Sequence, residues 1–343
     1  TVAILAQDSL AVRNGQGCQS SMAQNSEEEL RQELNDAAQI VLQSLKPEDD
    51  TSVSSELFSC PPSCARQHWN RLGDAVCRVE AFERRNAAGS DWVSLRLDGH
   101  GFSKLTKLLR RSGAISPGFS KEFAAIMQEC CTNLMSQFNA SVGYTQSDEM
   151  TVLIRPANVV RDEQQPHMFN GRVCKVCTLA SSTVTALFNL RMAELFAHHG
   201  IAFEARYLAT FDCRMGTYGS AAQAFGLLMW RAYDCTRNGV SDACYHLKGT
   251  VPGAGAAVKL NTPEKLQFLA RNGALPLPDH QANGSLFCKR RVTKTALDPR
   301  SQELVQCQRS EIQQQAGHIL TLAVKGELLS ICGAEVTGDR PAG

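Results

Sequence analysis

Long apolar runs are missing from this 343-residue chain. None approaches the roughly 18 residues of a membrane span, so no membrane partner is expected. A secretory leader is not expected either, because Thr1 to Leu10 is short and has no basic flank; the absent initiator Met suggests a processed or trimmed start. Net charge is nearly absent: 35 Lys and Arg against 34 Asp and Glu give +1. Any contact with a polyanion must therefore come from local basic patches. The 14 cysteines include the close pairs Cys60/Cys64 and Cys174/Cys177 and the doublet Cys130-Cys131. No second pair stands at the spacing that would complete a tetrahedral zinc site. A chain of this length needs no disulfide scaffold. The thiols are expected to be reduced and mostly buried, which suits an intracellular, reducing compartment, cytoplasmic or mitochondrial. Gly249 to Gly255 (GTVPGAG) lacks a following Lys-Ser/Thr, so it is read as a loop insertion and not a P-loop.

What is present is a pair of short segments about fifty residues apart, Val93 to Leu105 (VSLRLDGHGFSKL) and Ser141 to Ile154 (SVGYTQSDEMTVLI). In the first, Val93, Leu95 and Leu97 alternate with Ser94 and Arg96 before Asp98-Gly99, a period-2 strand running into a glycine turn. The second reads as two strands joined by a tight turn at Ser147, Asp148 and Glu149. Neighbouring strands can bring Asp98 and Asp148 together, where like charges repel unless a divalent cation lies between them. Two carboxylates bridging hard cations suit magnesium, which leaves coordination positions open for phosphate. Phosphoryl transfer is the first hypothesis.

The chain organises into three parts. Residues 1–68 form an acidic, partly helical or disordered leader, in which Glu27 to Leu45 carries one apolar stripe (Leu30, Leu34, Ala38, Val41, Leu42, Leu45). Lys46-Pro47 ends that helix, and Cys60-Pro61-Pro62 is a linker signal. Residues 69–291 are the catalytic part: a helix at about 72–86, the strand 93–99, a helix including Lys121 to Phe138, the hairpin 141–155, a helix at about 173–198 and a strand at Ala202 to Phe211. From the first strand onward the order is βαββαβ, which predicts an α+β fold, a ferredoxin-like palm of polymerase type with added helices. Residues 292–343 are a Gln-rich tail of unknown structure, with His318 to Leu329 read as one apolar strand or helix.

The stretches LGDAVCRVEAFER, RLDGHGF, YTQSDE, FDCRMGTYGS, WRAYDCTRNGV and GSLFCKRR occur in the order seen in the tRNA-His guanylyltransferase superfamily. Over about Leu72 to Arg291 the chain resembles the 3′-to-5′ polymerase branch of that superfamily, the guanylyltransferase-like proteins that repair tRNA 5′ ends. The resemblance implies template-dependent addition of nucleotides to tRNA 5′ ends, with tRNA, GTP and ATP as partners, two Mg2+ ions as cofactors, and a homotetramer or homodimer. By motif match Asp98, the Gly99 carbonyl and Asp148 look like metal ligands, with Glu149 as a third catalytic carboxylate or a solvated neighbour. His100, Gly101, Phe102 and Ser103 look like the triphosphate cradle, joined by Ser147 and by Lys175 as a phosphate-binding lysine. Arg214, Arg231, Asp234 and Asn238 are candidate RNA or phosphate contacts, as are Lys289, Arg290 and Arg291; structural ion pairs and solvated faces are the rival readings. Lys104, Lys107, Arg110 and Arg111 form a second basic stretch. His198-His199 is read as cap and surface.

Two departures bear on activity. His100 stands where the family usually has Arg, and Ser103 where many members have His. Thr236-Arg237-Asn238-Gly239 replaces the His-x-Asn-Asn element of the eukaryotic His-specific enzymes, which argues against a dedicated single-guanosine addition. A nucleotide cyclase-like palm and a non-catalytic RNA-binding relative remain as alternatives, together with single-G addition to tRNA-His.

Overall fold

The computed structural model describes residues 19–44, 66–81, 86–116, 118–248, 250–297, 300, 303–324 and 327–331. Residues 1–18, the Cys60-Pro61-Pro62 linker signal and residues 332–343 lie outside them. In chain order the elements are α1 (Gln19–Ser44), α2 (Arg66–Ala81), β1 (Trp92–Gly99), α3 (Phe102–Ser112), α4 (Lys121–Gln137), β2 (Val142–Gln146), β3 (Glu149–Ile154), β4 (Val159–Val160), β5 (Glu163–Gln164) and α5 (Val173–His198). There follow β6 (Phe211–Tyr218), α6 (Ala221–His246), α7 (Ala254–Ala257), α8 (Thr262–Arg271), α9 (Asp279–Ala282), β7 (Ser285–Leu297), β8 (Leu304–Gln315), α10 (Ile319–Val324) and α11 (Leu328–Ile331).

Six strands form one antiparallel sheet in the order β6-β1-β3-β2-β7-β8. Its first four strands are the ferredoxin-like arrangement that βαββαβ order predicts. The period-2 pattern of β1 explains how the sheet is held. Val93, Leu95 and Leu97 point into a core shared with Leu109, Met127, Leu134, Val184 and Phe188 of the helices α3, α4 and α5. The alternate positions are buried as well, on the opposite face: Ser94 Oγ lies 3.1 Å from Tyr218 OH, and the Arg96 guanidinium lies over the Trp230 ring. A strand covered on both sides needs a second helical layer. That layer is α1, α2, α6 and the short α10, packed through Leu34, Val41, Trp69, Leu72, Phe225 and Leu320.

Two expectations change here. Leu34, Ala37, Ala38 and Val41 are fully buried against α2 and α6, so this part of the leader belongs to the catalytic core; each of Leu34 and Val41 contributes roughly 1.5–3 kcal/mol by burial. The Gln-rich tail likewise is not separate. β7 runs on to Leu297, β8 returns beside it, and His318 to Leu329 is mostly helical, with Ile319, Leu320, Leu322 and Leu328 in the core. A third change concerns the last palm strand. Ala202 to Thr210 is coil with one 3-10 turn, because Phe203 and Tyr207 pack edge-on and tilted against Phe196; the strand is Phe211–Tyr218, paired with β1 throughout.

Helix α5 is long and apolar enough to cross a membrane, although polar residues interrupt every apolar run in it. Its stripe Val176, Ala180, Val184, Phe188, Met192 and Phe196 is buried in the core of the palm.

Candidate active site

The site forms where β1 ends. In the sheet register Asp98 lies directly opposite Glu149 on β3 and directly opposite Asp212 on β6. Residues opposite one another in antiparallel strands share a face, so three carboxylates stand in a row across three strands. Asp148 adds a fourth from the two-residue turn that closes β2 and β3, where Gln146 pairs with Glu149. Ser147 takes a left-handed φ of 46° there, and its hydroxyl donates to Asp148 Oδ1 at 2.9 Å.

Crowding leaves an electrostatic signature. Burial pushes the Asp148 carboxyl above the usual range, and the Asp98 charge adds to the shift while the Ser147 hydroxyl opposes it. Burial also raises Glu149; Arg231 opposes that shift, and Asp98, Asp148 and Asp234 reinforce it. Such a cluster, made of hard oxygen donors only, fits a divalent cation. Among the described residues no three metal-ligating side chains converge. Asp98 and Asp148 stand close enough for the charge of one to act on the other, while Glu149 is engaged elsewhere.

Its partner is Arg231 on α6, whose side chain is 7% exposed and donates to Glu149 Oε2 and to Asp234 Oδ2. The guanidinium also lies over the Trp230 ring, 4.7 Å from its centroid. Asp234 gathers Arg237 and Asn238 as well. Arg231 is therefore turned inward as a structural clamp on Glu149, the ion-pair reading of the two that the sequence left open.

Beyond Asp98 the chain makes a tight loop. A Cβ on Gly99 would come within 2.3 Å of the Phe102 ring. Phe102 packs beneath the loop in a ring cluster with Phe123, Phe188 and Phe211, at centroid separations of 5.0–6.0 Å. Gly101, at φ 70°, is the N-cap of α3, and no side chain caps that helix. The first-turn N–H groups beside His100 and Ser103 are thus an anion-binding surface with the positive end of the helix dipole behind it. His100 and Ser103 are exposed. The His100 N–H donates to the Thr210 carbonyl, tying the loop to the segment that leads into β6.

A cleft of about 480 Å³ opens next to this loop, lined by Phe102, Ser103, Ser147 and Asp148, with Asn238 from α6 and Ser285 from β7 on its far wall. Arg110 and Asp242 also line it; the buried Arg110 Nε has no hydrogen-bond partner, and Asp242 Oδ2 lies 3.0 Å from His246 Nδ1. Sequence reading singled out neither Asp212 nor Asp242. Asp212 was legible in FDCR only once the strand boundary was right; Asp242 carries no local signal.

Other expected site residues fall elsewhere. Lys175 stands over the Phe169 ring in the first turn of α5, next to Val176, which lines a groove with Trp92, Val93 and Ile154. Those residues mark the opposite end of β1, roughly 17 Å from Asp98 at the rise of a strand, so Lys175 does not share the cleft. Lys289, Arg290 and Arg291 line the same far groove. Arg214 is exposed and pairs with Asp212 at 3.6 Å. Thr236 and Gly239 are buried: Thr236 Oγ1 donates to the Ala282 carbonyl, and a Cβ on Gly239 would come within 2.3 Å of the Gln281 carbonyl oxygen.

Carboxylates on the first strand and the central hairpin of a ferredoxin-like sheet, beside an uncapped helix N-terminus, make a palm-type α+β fold. Residues 76–219 match the family model described as tRNAHis guanylyltransferase. A protein of Acanthamoeba polyphaga mimivirus is 25% identical over 225 residues, 62% of this chain and 70% of its own length. The tRNA(His) guanylyltransferase 1 of Arabidopsis thaliana is 22% identical over 158 residues, 45% of this chain but 24% of that protein, so the chain spans about a quarter of its length. Among solved structures, a bacterial tRNA(His) guanylyltransferase-like protein in complex with ATP shares the fold with a TM-score of 0.54 at 21% identity, covering 76% of this chain and 98% of that one.

Proposed function

We propose that this protein adds nucleotides to the 5′ ends of tRNA in the 3′-to-5′ direction, choosing each by pairing with the opposite strand. The observation that carries the reading is the row Asp212, Asp98 and Glu149, with Asp148 beside it, set against the uncapped start of α3. Asp98, Asp148 and the Gly99 carbonyl would hold two Mg2+ ions, which supply Lewis-acid stabilisation of phosphate charge and activation of a hydroxyl. The chain's own residues do the rest. The N–H groups at the start of α3 orient the triphosphate, with Ser103 and Ser147 at its flanks. Phe102 fixes the loop from below, and the Arg231 clamp keeps Glu149 from swinging toward Asp98. The incoming 3′-hydroxyl then attacks the activated 5′-terminal phosphate, and pyrophosphate or AMP leaves.

Pairing-directed addition is favoured over single-G addition by the Thr236-Arg237-Asn238-Gly239 form of α6. Thr236 and Gly239 face α9 and not the cleft, so neither reads a base. The ten described cysteines are free thiols, which supports a reducing, intracellular location; assembly as a homodimer or homotetramer is part of the same reading. The test uses a tRNA lacking its first 5′ nucleotide, offered each labelled nucleoside triphosphate in turn, with the opposing base changed to each of the four. The incorporated nucleotide should follow the opposing base. Addition of G whatever stands opposite would replace this reading with the His-specific one, and cyclic or dinucleotide products would replace it with a cyclase-like palm.

A further inference from the structure

Helix α5 lies along β6 and is fastened to it at successive turns. Asn189 bridges the backbone of Ala209, accepting from its N–H at 2.8 Å and donating to its carbonyl at 2.9 Å. One turn back, Thr185 Oγ1 accepts from the Phe211 N–H. Positions four apart share a helix face, and two turns further back that face brings Cys177 to β6. The strand presents Cys213 to it. Cys213 stands directly opposite Leu97 on β1, and opposite residues share a face. Leu97 is fully buried in the core that α5 covers, so Cys213 points to the helix as well. The two thiols are in hydrogen-bonding contact, and both pack on the rim of the same apolar core.

The pair differs from the enclosed cysteines of the protein. Cys130, Cys131 and Cys235 are buried; burial pushes Cys130 and Cys235 up to about 12 and raises Cys131 too. Those thiols stay protonated, and a protonated thiol is a poor nucleophile. Cys177 is shifted the other way, because the hydrogen bond from Cys213 holds its thiol below the ordinary range against the opposing effect of burial. Cys177 and Cys213 are only half-buried, so a small oxidant reaches them. Cys174, three residues earlier on α5, is exposed and supplies an internal comparison.

We propose that Cys177 and Cys213 form a peroxide-responsive thiol pair, in which Cys177 is the site of oxidation and Cys213 closes a reversible disulfide between α5 and β6. The Cys177 thiolate attacks one oxygen of hydrogen peroxide, the O–O bond breaks, and the departing hydroxide takes up the thiol's proton as water, leaving a sulfenic acid on Cys177. The Cys213 sulfur then gives up its proton and attacks the Cys177 sulfur. The S–O bond breaks, and hydroxide leaves with that proton as a second water. The thiols together lose the electron pair that the peroxide gains. In a reducing compartment such a bond is transient, formed under oxidant and reopened by a low-molecular-weight thiol. Phe211 of the same strand packs on Phe102, and the Thr210 carbonyl holds the His100 N–H, so a bond that draws β6 toward α5 acts on the loop beyond Asp98. The thiol pair stands independently of the reaction that the carboxylates serve.

The test exposes full-length, fully reduced protein to hydrogen peroxide, blocks the remaining thiols, and maps disulfides by mass spectrometry of unreduced peptides. C174S, C177S and C213S run in parallel, with dimedone present in a second series to trap sulfenic acid. Wild type and C174S should both yield a crosslink between Cys177 and Cys213 that dithiothreitol removes. C213S should instead accumulate the dimedone adduct on Cys177, well above any on the exposed Cys174. Oxidised wild type should melt higher than reduced wild type by roughly 3–8 °C, as expected for closing a loop of this size, a gain absent from C177S and C213S. A crosslink between Cys174 and Cys177, a disulfide joining two copies of the chain, or oxidation of Cys177 no faster than that of Cys174 overturns the pair. Mapping of the wild type decides this without any variant.

Discussion

Replacing Arg231 by Met tests whether the α6 clamp holds the carboxylate row together. The side chain is 7% exposed and that of Glu149 22%, so the pair is mostly out of water. Removing one member of a buried ion pair costs about 3–5 kcal/mol because the other is left charged without compensation. Residual solvent at Glu149 and the retained packing of Met on Trp230 lower the figure here to about 2–4 kcal/mol. The pH dependence follows from the sign of the Glu149 shift. Burial already raises that carboxyl above its ordinary 4.5 despite Arg231, and without the guanidinium it rises further. A raised carboxyl destabilises the fold at pH values above its folded pKa, and the penalty disappears once the pH falls below the unfolded value. The deficit of R231M should therefore be largest at pH 7–8 and shrink toward pH 4.5. Thermal unfolding with and without E149Q completes a double-mutant cycle. E149Q should restore most of the loss in the R231M background, giving a coupling of at least about 1.5 kcal/mol. Because R231M frees a charge beside Asp98, it should also increase stabilisation by added Mg2+. Additive effects of the two substitutions, or an R231M deficit that is flat from pH 8 to pH 4.5, would refute the clamp.

Three further outcomes are expected. D98N and D148N should each abolish nucleotide transfer and the melting shift produced by Mg2+, while the metal-free protein melts at or above the wild-type temperature because repulsion is relieved; transfer near the wild-type rate by either variant would remove it from the metal site. G99A should destabilise by about 1–3 kcal/mol through overpacking against Phe102 and weaken ATP binding by shifting the start of α3, as measured by melting and by nucleotide titration. His318 is buried and its pKa is pushed down to about 4 by desolvation. The fold then loses stability as pH falls from about 6.5 to 4, by up to about 3 kcal/mol; H318Q should lose less over that range in melting curves, and an identical loss would show that other groups govern it.

The palm was legible because its signals are local. β1 and the β2–β3 hairpin alternate, α4 and α5 have clean boundaries, and strand order follows from the sequence of elements. Asp98 and Asp148 could be placed together because both end apolar strands that a ferredoxin-like sheet makes neighbours. Longer-range features were not legible. Lys175 matches a motif by its position in the chain, yet α5 begins at the far end of the sheet, and only the direction of the helix relative to β1 reveals that. For Arg231 the sequence left an RNA or phosphate contact and a structural ion pair both open, because its partner Glu149 lies 82 residues earlier. The Gln-rich composition of β8 hid a strand, since its outer positions have no core to face.

The burial of Thr236 and Gly239 changes what their identity means. Thr236 fills a space between the Ala282 carbonyl and His318, and Gly239 lets the Gln281 carbonyl approach α6. Both are therefore tied to α9, whose His280 lines the cleft, and act on the cleft only through packing. Base choice on the proposed reading must then come from the RNA itself. On that reading addition requires an intact opposing strand, and it needs no base-reading side chain in the cleft.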